Sequence, residues 1–170
     1  MALNLTEVTR TMILNRLKAN LPAALNAVDA DRSDYKVTTP DPKDYFIYEN
    51  AQAYRTPAVF LIANNFNFNK REKGANYIAG VIEFTCAAVI EERIADLLTI
   101  KADRYQAALH ETLDEETLVS SDNEVKAYIL VTSASYSPVY TPDSSSYQGA
   151  FRKEVVLTLE VEHYEKVKTT

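Results

Sequence analysis

The residues of this chain that could make or break bonds are few. His110 and His163 are the only histidines and Cys86 is the only cysteine. Each histidine has glutamate beside it: Glu111 next to His110, and Glu162 and Glu165 around His163. A zinc centre or a histidine base needs ligands or partners converging from fixed spacings, and neither a second histidine nor a cysteine stands at such a spacing. The acidic runs "DEE" (114–116) and "EVEHYE" (160–165) could serve acid–base work or hold a divalent cation. A solvated helix end and a solvated strand face are the favoured explanation of both runs. Three glycines cannot build a phosphate-cradling loop, and "DSSSYQG" has serines without a nucleophile elbow. The expectation is a protein without catalytic, metal or cofactor-binding residues.

Two stretches point to contact between polypeptides. In "NNFNFNKREKGANY" (64–77), Phe66 and Phe68 alternate with Asn65, Asn67 and Asn69. On a strand, that spacing gives one dry and one wet face. The bases Lys70, Arg71 and Lys73 then sit at a turn that Gly74 can close. The second stretch is "SPVYTPDSSSYQGA" (137–150), with Tyr136, Tyr140 and Tyr147 set among serine and proline. Tyrosine offers broad contact area at small entropic cost. The interface candidates are therefore Phe66, Phe68, Asn65, Asn67, Lys70, Arg71, Lys73, Tyr136, Tyr140 and Tyr147. The simpler reading of Phe66 and Phe68 is that they cover a helix of their own subunit.

The elements that must carry these stretches follow from periodicity. Leu5, Val8, Met12, Leu14, Leu17, Leu21, Leu25 and Val28 form one helical stripe over 4–28, which Pro22 should kink or split near Asn20. A turn-rich loop covers 29–43, and 44–50 is a short strand candidate. Strands over 54–69 and 75–92 make a long hairpin spanning 58–90, with Gly80 marking a bulge or a close backbone approach. Ile94, Leu97, Leu98, Tyr105, Ala108, Leu109 and Thr112 define a second helix over 91–114, with Glu91, Glu92 and Asp96 at its N-terminal end. Residues 115–123 read as a loop. Strands follow over 124–136 and 151–164, with alternating Val125, Ala127, Ile129, Val131 and Val155, Leu157, Leu159, Val161. Residues 166–170 read as a frayed tail. The expected fold is α+β in a single domain of residues 1–170, a mainly antiparallel four- to five-stranded sheet flanked by two main helices, with a protruding β-hairpin.

Bulk composition narrows the partners. The 170 residues carry a formal net charge of −6, with 10 basic and 9 acidic side chains in residues 1–90 against 8 and 15 in 91–170. No basic stripe exists to neutralise phosphates, so tight binding to nucleic acid is not expected. No apolar h-region or membrane-length apolar run is present, and folding in a cytoplasm is expected.

The segment order then carries a resemblance. "TMILNRLKANL", "YRTPAVFLI", "YIAGVIEFTCAAVI", "DRYQAALHETL", "SASYSPVY" and "FRKEVVLTLEVEHYE" succeed one another over about residues 5 to 165. This order resembles the tail terminator (tail completion) proteins of long-tailed bacteriophages, which act at the head–tail junction. The resemblance implies a homo-hexameric ring on the head-proximal end of the tail tube. The ring would stop tube growth and join the tail to the head, with DNA passing through the lumen as cargo. It implies no cofactor and no membrane. The partners it implies are further copies of the chain, the tail tube protein and a head-completion or connector protein. The location it implies is the neck of the virion, after a period in the host cytoplasm. The alternatives are a head-completion or stopper neck protein, a small-ligand-binding or enzymatic α/β domain, and a cytosolic adaptor that is never packaged.

Overall fold

The computed structural model describes residues 5–30, 32, 34–47, 54–68, 77–141 and 149–166, and the side chains of all of these except 68, 77–79 and 164–166. The element order is α1 (Leu5–Ala30), β1 (Tyr45–Phe46), β2 (Ala58–Phe68), β3 (Tyr77–Glu92), α2 (Ala95–Leu113), β4 (Glu116–Val119), β5 (Val125–Tyr136) and β6 (Phe151–Lys166). The strands form one sheet in the order β1-β2-β3-β6-β5-β4.

That sheet corrects the expected one. It has six strands and is mixed, because β1 pairs with β2 in parallel, Tyr45 opposite Val59 and Phe46 opposite Phe60. The remaining neighbours are antiparallel. The strand missed by periodicity is β4. Four residues are too few to show an alternation, and "SSDN" beside them reads as turn. Its pairing is set from outside, by β5 across the turn in which Asn123 takes a φ of 57° and Ser120 N–H donates to Val125 C=O. The hairpin also differs from the expected protrusion. β3 pairs with β2 on one side and with β6 on the other over its full length, out to Tyr77 opposite Lys166, so the described part of the hairpin lies inside the sheet. Residues 69–76, with Gly74, lie outside the described residues.

Helix boundaries shift for physical reasons. β3 continues to Glu92, so Glu91 and Glu92 are strand residues. Each holds a cation: Glu91 meets Arg152 Nε at 2.8 Å, and Glu92 meets Lys101 Nζ at 2.7 Å. α1 runs through Pro22 as one helix without splitting near Asn20. Its stripe Ile13, Leu17, Leu21 and Leu25 is buried against α2 and the sheet, and that tertiary burial outweighs one lost backbone bond.

Both helices pack on one face of the sheet. Leu98, Tyr105, Leu109 and Leu113 of α2 join the α1 stripe over Val59, Leu61, Ile82, Phe84, Cys86, Ile129, Leu157 and Leu159. Cys86 is fully buried there, and burial pushes its thiol up to about 12. The face away from the helices holds a smaller apolar cluster at one end, Ala58, Phe60 and Val89 with Phe46, Tyr54, Ile62 and Ala87. One buried polar network ties the layers together. Asp29 lies in the last turn of α1, where the helix dipole disfavours a carboxylate. It is satisfied by Arg104 Nη1 of α2 at 3.0 Å and by Val37 N–H at 2.6 Å. Arg104 also reaches Asp34 at 3.0 Å and the Tyr35 carbonyl.

Candidate assembly surfaces

The sequence candidates fall into two groups at opposite ends of the sheet. Phe66 pairs with Ile82, and Ile82 with Val161, at the end where the β2–β3 turn lies. Tyr136 pairs with Val155, six positions earlier on β6. At the rise of a strand, the two groups are about 20 Å apart, so they are two surfaces.

At the Phe66 end, a bulge at residue 64 resets the register between Ala63 and Asn65. It puts Asn65 opposite Glu83 and Phe66 opposite Ile82, so the asparagine side chains face away from the helices and Phe66 faces them. Asn65 and Asn67 are exposed, while Phe66 is half-buried against the core. Its ring lies 5.0 Å from the ring of His163, which is fully buried. For Phe68 only the backbone is described. Lys70, Arg71 and Lys73 lie outside the described residues.

Gly80 makes this packing possible. A Cβ there would stand 2.6 Å from His163 Cε1 and 2.9 Å from Phe66 Cε2. The sequence signal of a close approach in β3 was the glycine itself. Gly80→Ala is expected to destabilise the fold by about 1–3 kcal/mol through overpacking, which a urea titration would read.

His163 has both ring nitrogens buried without a hydrogen-bond partner among the described residues. Burial holds its pKa below the ordinary 6.5, and the nearby Gly80 backbone only partly opposes this. The unfolded chain therefore takes up a proton before the folded one does. The stability that His163 supplies is complete above pH 6.5 and is lost as pH falls from there through the lower folded pKa. Urea midpoints measured between about pH 7.5 and 5.5 should fall with acidity, and His163→Phe should reduce the slope. An unchanged slope would remove His163 from this role.

At the other end, β5 and β6 continue as a ribbon into the 137–150 loop. Ser137 N–H donates to the Glu154 carbonyl, and Tyr140 and Arg152 exchange backbone bonds at 3.0 and 2.7 Å. Tyr140 Oη donates to Glu154 Oε1 at 2.9 Å, and the Arg152 guanidinium lies 5.4 Å from the Tyr54 ring centroid. Tyr54 stands edge-on to Phe60 at 5.1 Å. Tyr140 is thus joined to the small aromatic cluster on the helix-free face, a link that no local spacing discloses. Tyr136 is exposed, with the Lys153 ammonium 5.5 Å from its ring centroid. Partial burial and the Asp103 carboxylate raise its phenol pKa. Tyr147 lies outside the described residues.

Chemistry-bearing groups do not converge. His110 is exposed and lies 3.4 Å from Asp114, whose Oδ1 accepts the Val131 N–H. Glu116 is bound to Arg16. Among the described residues no group of three or more His, Cys, Asp or Glu is placed to hold a metal ion. A groove of about 560 Å³ runs between α1 and β4, lined by Val8, Met12, Leu118 and Val119 with Glu7 and Arg16 at its sides. At the Phe66 end, the helix-free face is acidic. Glu83 and Glu160 are direct cross-strand neighbours, and Glu162 follows on the same face. Like charges in that position cost stability.

The sequence matches no known protein family and no curated protein. Among solved structures, the fold is similar to a chain of the "Virion of native gene transfer agent (GTA) particle". The TM-score is 0.52 at 13% identity, over 95% of this chain and 99% of that one. This is a likeness of fold, and it runs nearly end to end in both chains.

Proposed function

We propose that this chain is a structural virion component of a phage-like particle, and more specifically the terminator of its tail tube. Six copies would form a ring on the head-proximal end of the tube, stop its growth and offer the surface on which the head is joined. The observation that carries the reading is the near-complete match of fold and length to a chain of a gene transfer agent virion.

Two features of the molecule support it. Glu83 and Glu160 stand directly opposite each other on the helix-free face, with Glu162 on the same face, and form an acidic strip. Lining a lumen, such a strip would keep DNA phosphates from sticking while the DNA slides past. The exposed or half-buried candidates at the two ends, Asn65, Phe66, Asn67, Tyr136 and Tyr140, are aromatic or amide, which suits a protein that works by contact. The function requires no cofactor and no covalent step.

The experiment is localisation in purified particles. Antibody-directed gold labelling should place the chain at the head–tail junction, with about six copies per particle by quantitative mass spectrometry. Absence from purified particles would end the reading and leave a non-packaged adaptor. Labelling of the connector in tail-less heads would identify a head-completion protein instead.

A further inference from the structure

We propose that the ring closes by joining the two open margins of the sheet, the outer edge of β5 in one copy pairing with the outer edge of β2 in the next. The inference rests on the ring reading above and assigns its contact.

The β5 margin is unusual as an edge. β4 pairs only with residues 126–129, and the last five residues of β5, Thr132 to Tyr136, are exposed on both faces. Their backbone direction can be read from neighbouring bonds. Ser137 N–H points inward to Glu154, and Val131 N–H points outward to Asp114 across a bulge. The N–H groups of Ala134 and Tyr136 therefore point outward, and among the described residues nothing pairs with them.

The β2 margin matches it. Val59 N–H points outward to the Asp44 carbonyl, so Ala63 N–H points the same way, beyond the last β1 pairing at Phe60.

Charge placement distinguishes these margins from ordinary edges, which carry lysine or inward-turned charge to stop pairing. No charged residue occurs from Thr56 to Asn69 or from Ala127 to Pro142. The charges stand on the inner strands instead: Glu83 on β3 and Lys153, Glu154, Glu160 and Glu162 on β6. Copies of a chain with net charge −6 repel over most of their surface. The two uncharged margins are where they can approach. Because the margins lie on opposite sides of one sheet, the contact is head-to-tail, and it closes into a ring when the rotation permits. Five residues of edge span only about 17 Å and bury less than the roughly 1,600 Å² of a typical stable pair. Assembly should therefore depend on concentration and on closure.

The test uses the whole chain and native mass spectrometry over a concentration series. Wild type should pass from monomer to ring. Ala134→Pro and Ala63→Pro each remove one outward N–H and no inward ladder bond, and each should raise the concentration needed for assembly roughly tenfold or more. Ser133→Lys and Asn67→Lys charge the same margins without touching the backbone and should do likewise. A mixture of Ala134→Pro and Ala63→Pro retains one competent margin of each kind, so brief cross-linking should trap a dimer that neither variant gives alone. Wild type monomeric at its highest soluble concentration, assembly of the lysine variants at wild-type concentrations, or equal dimer from each variant alone would overturn the inference. Rings that respond to these variants yet are absent from particles would instead overturn the functional reading and leave the edge contact standing.

Discussion

Arg104→Met is expected to lower folding stability by about 3–5 kcal/mol, the loss that follows when one partner of a buried ion pair is removed. Arg104 is 3% exposed and is shared between Asp29, Asp34 and the Tyr35 carbonyl. Without it, Asp29 remains 7% exposed at the C-terminal end of α1, where burial and the helix dipole both oppose its charge. Val37 N–H is then its one remaining partner in this network. Asp29→Asn in the same chain removes the stranded charge and should recover part of the loss, giving a coupling of about 1–3 kcal/mol in a double-mutant cycle. Additive losses by chemical denaturation would mean that the pair is not coupled. For a domain whose stability is on the order of 5–15 kcal/mol, the single variant should also assemble poorly, because little folded chain would be available.

Phe84→Ala carries the second large effect, about 3–5 kcal/mol. Phe84 is fully buried on β3, with Ala63 of β2 and Leu159 of β6 directly opposite it. It lies between the helices and the middle of the sheet, so no surface loop can collapse into the void. The urea midpoint should fall without a change in slope. Phe66→Ala should cost less, because Phe66 is only half-buried. A loss at Phe66 equal to that at Phe84 would contradict this ordering of the core.

Much of the layer architecture was legible. Alternation over 155–161 and 125–129 placed residues that are buried in the structure, and the α1 stripe from Leu5 to Leu25 lies in the core apart from its flanks. These signals are legible because a face buried over several turns or strand repeats imposes its period on the sequence. β4 was illegible because its partner, not its four residues, makes it a strand. β1 lies inside the 44–50 strand candidate, but its parallel direction was illegible, because two residues have no period and their pairing with β2 is a tertiary matter. Arg104 escaped notice because a charged residue beside a helical stripe reads as solvated until its acid, 75 positions away, is brought to it. Of the surface candidates, the parity of Phe66 against Asn65 and Asn67 was legible, and Gly80 announced a close approach. That the approach is to His163, and that Tyr140 joins Tyr54 and Phe60 across the sheet, depends on pairings between strands far apart in sequence.

The most direct measurement of the central claim is tube growth in the presence of the purified chain. Tail tube protein polymerising alone should give tubes of unlimited length. Added chain should stop elongation at one end, and electron microscopy should show a ring there built from 19.1 kDa subunits. Tubes that lengthen at an unchanged rate, with the chain left free in solution, would contradict the account.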